Sequence, residues 1–407
     1  VIVNNNIETK ASPKIFIICC LALLVTSMTF AIRAGILNQL GAEFTLNDSQ
    51  LGWVNSMAFL GFPIAMILGG ALYNKMGAKK LLLIAFAFHV IGLVLTIYAE
   101  GFWGLLISTF FIGFANGSVE AGCNPLIAKM YPDNKTVMLN RFHVWFPGGI
   151  VIGAIISKVM TDAGLGWQLQ IAVMLIPAII YGVMTLNQHF DVYEEERSTS
   201  DNVKALFSPL FIFMALCMTL SATTELGTQQ WIERILGASG ASPMLIMALI
   251  TGLMAVGRYF SGAVVHRLNP VGVLLCSAIV ATCGIYAMSI ATGNMVYVAA
   301  ILFAIGVMYF WPTMVGFVAE YIPESGALGL SMIGAAGIFA LSIWNPVIGS
   351  WIDGAREKAN SAAVAGVDPE LIAGQSVLLN LTVFPALLII AFAFLYAYIN
   401  KKKLLSQ

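Results

Sequence analysis

Four charged side chains stand inside long apolar runs, and these are the residues where chemistry could happen: Arg33, Glu120, Glu225 and Arg258. An ionised group at the centre of a bilayer costs roughly 2.5–3.5 kcal/mol on insertion scales, so such residues usually mark function. Glu120 is flanked by Gly113, Gly117 and Gly122, residues that let neighbouring helices approach closely. A carboxyl withdrawn from water favours its neutral form, so Glu120 could load a proton from one side and release it to the other. The alternative is a fixed ion pair, or a carboxyl held by Asn116 or Asn124. His89 and His143 are titratable but neutral. His89 is expected to pack without a role, and His143, close behind Arg141, to lie near the surface in contact with water.

The elements that must position these groups are membrane-spanning helices. Of 407 residues, 59% are hydrophobic and 10% charged, against about 25% charged in ordinary soluble domains. A chain this long with so little charge must face lipid over much of its surface. About twenty apolar residues cross a bilayer as a helix, and twelve segments qualify. The first six are Lys14–Gly41, Leu51–Asn74, Lys80–Tyr98, Phe102–Tyr131, Met138–Met160 and Leu169–Leu186. The last six are Pro209–Leu236, Pro243–His266, Val271–Ile290, Met295–Tyr321, Ala327–Ile352 and Val377–Ile399. A charged stretch between them, with Glu194, Glu195, Glu196 and Arg197, reads as a linker. The expected division is residues 1–190, a linker at 191–207, and residues 208–407. The first apolar run lacks a small-residue cleavage site and reads as a retained helix.

Charge fixes the expected orientation. Fourteen of the twenty lysines and arginines, from Lys10 and Lys14 through Lys75, Lys79, Lys80 and Arg267 to Lys401–Lys403, lie on the side of the N-terminus. The positive-inside rule then places both termini in the cytoplasm of a cell inner (plasma) membrane. Net charge is zero and no basic run exceeds Lys401–Lys403, which argues against nucleic acid as a partner. The six cysteines lie in apolar stretches without metal-ligand spacing and read as small buried hydrophobes, with no metal, disulfide or other cofactor implied.

The two sets of six spans repeat one another. Gly70-Ala71 after span 2 and Gly262-Ala263 after span 8 are 192 residues apart, and Tyr131-Pro132-Asp133 and Ile322-Pro323-Glu324 are offset by 191. A parallel repeat implies a pseudo-twofold axis along the membrane normal, with a site between the halves. Arg33 and Glu225 are also 192 apart. They are therefore expected at equivalent places on spans 1 and 7, facing each other across a cavity and able to meet in a state closed to the outside, as an external gate or part of a binding wall; the alternative is that both reach the membrane surface. Arg258, in the inner half of span 8, could tie span 8 to span 10 or bind an anionic group.

The segment from Gly70 to Lys80, Gly-Ala-Leu-Tyr-Asn-Lys-Met-Gly-Ala-Lys-Lys, resembles the signature loop of the major facilitator superfamily, with an echo from Gly262 to Arg267. The resemblance implies an all-α membrane protein, twelve transmembrane helices in two pseudo-symmetric six-helix bundles. It also implies a conformational gate carried by Gly70, Asn74, Lys75, Gly77, Lys79 and Arg267, with Arg258 nearby. Asn74 and His266 stand where that family usually has Asp, so the gate should be weaker or compensated elsewhere. Glu120-Ala121-Gly122-Cys123-Asn124-Pro125 further resembles the Glu-x-x-x-Asn-Pro stretch of fucose–proton symporter-like sugar transporters, where the glutamate is linked to the proton. Thr224–Trp231 is similar to their seventh helix. Arg33 stands where they carry an acid, so fucose itself is not implied.

Sugars present apolar ring faces and hydroxyl edges, and aromatic platforms beside amides suit them. Gln229, Gln230 and Trp231 supply both; Asn55, Asn124, His143, Trp145, Trp311, Trp344 and Asn345 are further candidates, though single aromatics more often sit at membrane boundaries. Pro125, Pro147, Pro312 and Pro346 interrupt spans 4, 5, 10 and 11 and each removes a backbone hydrogen bond. The expected function is secondary active transport of a small polar solute, a sugar or sugar derivative, by alternating access with proton coupling; sodium is a second possible ion. Transport of an organic anion such as a sugar acid, or antiport of drugs, are the alternatives. No nucleotide-binding loop or catalytic constellation is present, so neither an ATP-driven pump nor an enzyme is expected. The expected assembly is a monomer in a lipid bilayer.

Overall fold

The computed structural model describes residues 12–46, 48–190, 199–362 and 368–406. Among them every regular element is a helix: α1 (Pro13–Phe44), α2 (Asp48–Ile97), α3 (Phe102–Met130), α4 (Lys135–Phe142), α5 (Trp145–Asp162), α6 (Trp167–Val173), α7 (Leu175–Asn187), α8 (Thr199–Leu206) and α9 (Pro209–Ala222). A π turn, Thr223–Gly227, follows, and then α10 (Thr228–Gln230), α11 (Ile232–Leu236), α12 (Pro243–Tyr259), α13 (Ser261–Ile290), α14 (Met295–Val307), α15 (Phe310–Tyr321), α16 (Gly326–Ala362), α17 (Pro369–Leu381) and α18 (Val383–Ser406).

These helices make twelve crossings. Ten stretches are long and apolar enough to span a membrane, and Leu245–Tyr259 adds a shorter one. One of the ten, Trp53–Ile97, has 45 residues. At 1.5 Å per residue it is about twice the length a bilayer needs, so it must cross twice. It does so by turning at Gly77, whose φ of 71° is open to a residue without a Cβ. The matching turn in the second half, inside α13, is made by Asn269 at φ 55°. Its Oδ1 accepts from the amides of Val271 and Gly272, both at 3.1 Å, which caps the helix that Pro270 begins. Gly77 and Asn269 are 192 residues apart, the spacing of the sequence repeat.

Of the four spans that proline is expected to interrupt, two are broken; α3 and α16 run on through Pro125 and Pro346 as single helices. Span 5 is α4 and α5, parted near His143 and Val144, and span 10 is α14 and α15, parted at Met308 and Tyr309. Proline lies four residues beyond each freed carbonyl: Pro147 cannot bond His143, and Pro312 cannot bond Met308. Span 7 widens into the π turn around Glu225. Of the linker, residues 191–198, including Glu194, Glu195, Glu196 and Arg197, lie outside the described residues; the rest is α8, whose buried Asn202 sits against Gly326 at the start of α16.

The largest apolar cluster runs from Ile15 to Ile399 through both sets of spans, and a second, with Ile32, Val54, Leu105 and Trp167, lies within the first set. The outer surface stays apolar as well: Ile67, Ile155, Ile176, Leu216, Ile290 and Phe394 are all exposed, as a lipid-facing belt requires. Cys276 and Cys283 belong to this belt, contrary to the expectation that every cysteine is buried; Cys19, Cys20, Cys123 and Cys217 are interior, and all six are free thiols. α13 turns one side of its second half outward, and small thiols cost little against lipid.

An even number of crossings puts both ends of the described chain on one face, here called the terminus face. The halves are joined at that face. Glu320, at the end of α15, accepts from the amide of Thr136 at 3.2 Å and from its hydroxyl at 2.5 Å, at the N-terminus of α4. Lys135 returns a bond to the Ala319 carbonyl, 3.3 Å away at the C-terminus of α15. Each charge thus meets the helix end of opposite polarity. Deeper, Asn140 reaches Thr313 at 3.4 Å, and Gly70 of α2 lies against Ser331 of α16 so tightly that a Cβ would collide with it. α1 and the helices of span 7 share no extended interface among the described residues.

Candidate functional site

One arginine gathers the site. Arg258, near the end of α12, is 1% exposed. Its Nη2 donates to Glu225 Oε1 at 3.0 Å, its Nε to the Met308 carbonyl at 2.6 Å and its Nη1 to the His143 carbonyl at 3.1 Å. The last two acceptors are the carbonyls that Pro312 and Pro147 release. A bare carbonyl in a dry interior costs about 1–3 kcal/mol, so one guanidinium offsets two breaks and neutralises a carboxylate. Because His143 belongs to span 5 and Arg258 to span 8, the same group also bolts the two halves together.

On the other side of His143 stands Glu120. Asn124 Nδ2, one turn further along α3, donates to Glu120 Oε2 at 2.5 Å. The Asn124 amide oxygen then faces His143 Nε2 at 3.2 Å, which makes Nε2 the protonated ring nitrogen. The same Nε2 is 3.8 Å from Glu120 Oε2. Glu120, Asn124 and His143 are all buried, and Glu120 and Arg258 attract one another electrostatically. The arrangement is two buried carboxyls, Glu225 paired to Arg258 and Glu120 attracted to it, around one cation at the boundary between the halves. A proton added to either carboxyl changes how strongly Arg258 is held.

Two expectations about these residues are corrected: that Arg33 and Glu225 reach the membrane surface, and that His143 is solvated. In this conformer, joined at the terminus face, Glu225 is buried in the π turn and pairs with Arg258. Arg33 is 8% exposed and lies over the Phe30 ring at 5.3 Å. His143 is buried, not solvated, since α4 tilts into the interface with α15. His89 has more company than packing alone: its ring bonds Tyr181 Oη and Asn116 Oδ1, each at 2.8 Å, and Asn116 donates to Thr29 at 3.0 Å.

The remaining candidates are spread along the walls. Gln229 is buried with its amide against the Met254 sulfur at 3.5 Å, whereas Gln230 is exposed. Trp231 donates to Asn345 at 3.3 Å. Trp344 packs on Trp351 and Phe384, Trp311 is buried beside Gly334 and Gly337, Asn55 is half-buried and Trp145 partly exposed. In the loop after span 2, Lys79 donates to the Leu186 and Gln188 carbonyls at 3.2 and 2.8 Å, anchoring the turn to the end of α7. Lys75 and Arg267 are exposed. Sequence reasoning missed the Lys135–Thr136–Glu320 contact and the two carbonyls held by Arg258. Pro147 and Pro312 were the available signal, because each implies a donor somewhere near.

Residues 18–344 match the family model described as Major Facilitator Superfamily. The chain belongs to that superfamily. The curated relatives it matches are named as transporters. The cis,cis-muconate transport protein of Acinetobacter baylyi is 29% identical over 184 residues, 44% of this chain and 42% of that relative. The chain matches less than half the length of the first curated relatives it resembles. Among solved structures, the superfamily transporter FucP in the outward conformation superposes with a TM-score of 0.73 at 16% identity, over 94% of this chain and 99% of that one. The proton:xylose symporter XylE superposes with a TM-score of 0.72 at 16% identity, over 95% of each chain. At such identity these two likenesses establish the shared twelve-span superfamily fold.

Proposed function

We propose that this superfamily member is a proton-coupled secondary transporter of a small polar solute, a sugar or sugar derivative, working by alternating access. The observation that carries the proposal is the position of Arg258, paired to Glu225, attracted to Glu120 and bonded across the boundary to the His143 carbonyl. Glu120 is the proton carrier. When it is neutral, Arg258 is held by Glu225 alone on the carboxylate side; when it is ionised, the two carboxylates compete for one cation. Proton loading thereby changes a contact that joins the halves, which is what coupling requires. Residues 1–190 and 208–407 are the two rocking bodies, with 191–207 as their tether.

The lysine and arginine distribution supports cytoplasmic termini in a cell inner membrane, which makes this conformer the one closed to the cytoplasm. Gln229, Gln230, Trp231 and Asn345 on span 7 and span 11 supply amides beside an aromatic platform for a sugar, with Trp311 packed on span 11 in the same half and Trp145 on span 5 of the other. A second reading, transport of an organic carboxylate, is favoured by the relative named for muconate transport and by the buried cation of Arg258. The test is uptake into proteoliposomes of a panel of sugars, sugar acids and aromatic acids, with and without an inward proton gradient. Accumulation of a sugar only with the gradient, lost in Glu120→Gln while solute counterflow persists, is the expected result. Uptake indifferent to the gradient, or a Glu120→Gln variant that still accumulates, overturns the coupling; uptake of acids alone selects the second reading.

A further inference from the structure

Arg33 is a buried cation that the boundary site does not use. It is 8% exposed, and its Nη1 has no hydrogen-bond partner. Among the described residues no acidic side chain forms an ion pair with it. It lines a small cavity between spans 1, 2, 3, 4 and 6, together with Thr29, Thr96, Thr109, Ile36 and Met174. Thr29 and Thr96 spend their hydroxyl protons on the carbonyls of Thr26 and Gly92. Thr109 makes no hydrogen bond among the described residues, so its proton is available to the cavity. The cavity is small, about 10 Å³, room for a single small particle and too little for a carboxylate or a sugar.

A lone guanidinium in such a place carries a desolvation penalty of several kcal/mol, and the cavity supplies one charged donor, one hydroxyl donor and apolar walls. We infer that this cavity binds a small monovalent anion of halide size, chloride in the cell, between Arg33 Nη1 and the Thr109 hydroxyl. The site is separate from the boundary cluster: Thr109 precedes Glu120 by eleven residues on α3, about 16 Å along the helix axis. The anion completes the first set of six spans electrostatically and is not the transported solute. Thr29, which lines the cavity, also accepts from Asn116, so the bound anion rests against the hydrogen-bonded chain that runs through Asn116 to His89 and Tyr181.

The test uses the purified full chain in detergent at constant ionic strength, with sodium gluconate replaced stepwise by sodium chloride or sodium bromide and no transport substrate present. Thermal unfolding followed by tryptophan fluorescence should rise by a few degrees with a saturating dependence on halide, because a ligand of the folded state alone stabilises by mass action. Arg33→Met should lose the rise. Thr109→Leu, which fills the cavity but keeps the guanidinium, should weaken halide binding at least tenfold, and it decides the matter if Arg33→Met fails to fold. Crystals grown in bromide should show an anomalous peak beside Arg33. No halide effect on the parent protein, an effect that grows without saturating, or one that survives in Thr109→Leu with unchanged midpoint overturns the inference.

Discussion

Replacing Arg258 by Met tests the central claim about the boundary, because Met keeps an unbranched apolar stem and deletes every donor. Three groups lose a donor at once. Glu225, 4% exposed, keeps a buried charge without its partner, a loss of about 3–5 kcal/mol when one side of a buried pair is removed. The Met308 carbonyl, deprived of its helical donor by Pro312, costs about 1 kcal/mol or more, and the His143 carbonyl keeps only a long contact of 3.4 Å from the Phe146 amide. The single variant should therefore lose about 5 kcal/mol or more. Adding Glu225→Gln removes the stranded charge but not the loss at the carbonyls, so the double variant should recover about 2–3 kcal/mol. Steric trapping in bicelles reads these free energies directly. A cysteine-free background carrying Ser331→Cys adds a second readout, since loss of the cross-boundary bond should speed labelling at the terminus face. A double variant no more stable than Arg258→Met, or unchanged labelling, refutes the account of Arg258 as both counter-charge and bolt.

Three other outcomes follow from contacts at the terminus face and the turns. Glu320→Ala removes both acceptor contacts to Thr136 at the start of α4 and should cost about 1 kcal/mol, typical of a lost N-cap, while raising the labelling rate at Ser331→Cys severalfold. Gly70→Val places a side chain where Ser331 and the backbone of Leu328 already stand; overpacking of about 1–3 kcal/mol should shift the protein toward the conformer open at that face, read as a longer distance between spin labels on α2 and α16. Asn269→Ala forces an alanine into positive φ and removes the cap on Val271 and Gly272, so a loss of about 1–2 kcal/mol is expected, whereas Asn269→Gly should lose less than half of that in the same unfolding assay.

The twelve crossings were legible because hydropathy alone counts them, and the repeat offset even predicts the Gly77–Asn269 equivalence. Breaks within spans were half legible. Prolines mark where a carbonyl is freed, but sequence does not say which donor arrives, and Arg258 comes from another span. The site was less legible still. Depth estimates and symmetry put Arg33 opposite Glu225, but they do not reveal that Glu225 lies in a π turn and is paired by Arg258 from span 8. Nothing in the residues Thr223–Gly227 announces such a turn. Glu120 and Asn124 are one turn apart and could be joined on paper; His143 could not, since Arg141 suggested a surface that the tilt of α4 denies. The reciprocal contact of Lys135 and Glu320 depends on two helix ends meeting, which only the assembled fold reveals.

The paired turns at Gly77 and Asn269 carry a further consequence. The two halves solve one geometric problem with unrelated chemistry: one residue tolerates the left-handed backbone by having nothing to clash, the other by turning its amide back onto the chain. What the halves hold in common at this corner is a pair of dihedral angles, not a side chain. A comparison of residue types alone would score the corner as a mismatch, so kinship between the halves is stronger in backbone conformation than any alignment of their letters records. The same reasoning explains how each half could acquire its own polar equipment, a buried carboxyl at Glu120 in one and an arginine bolt in the other, without disturbing these corners.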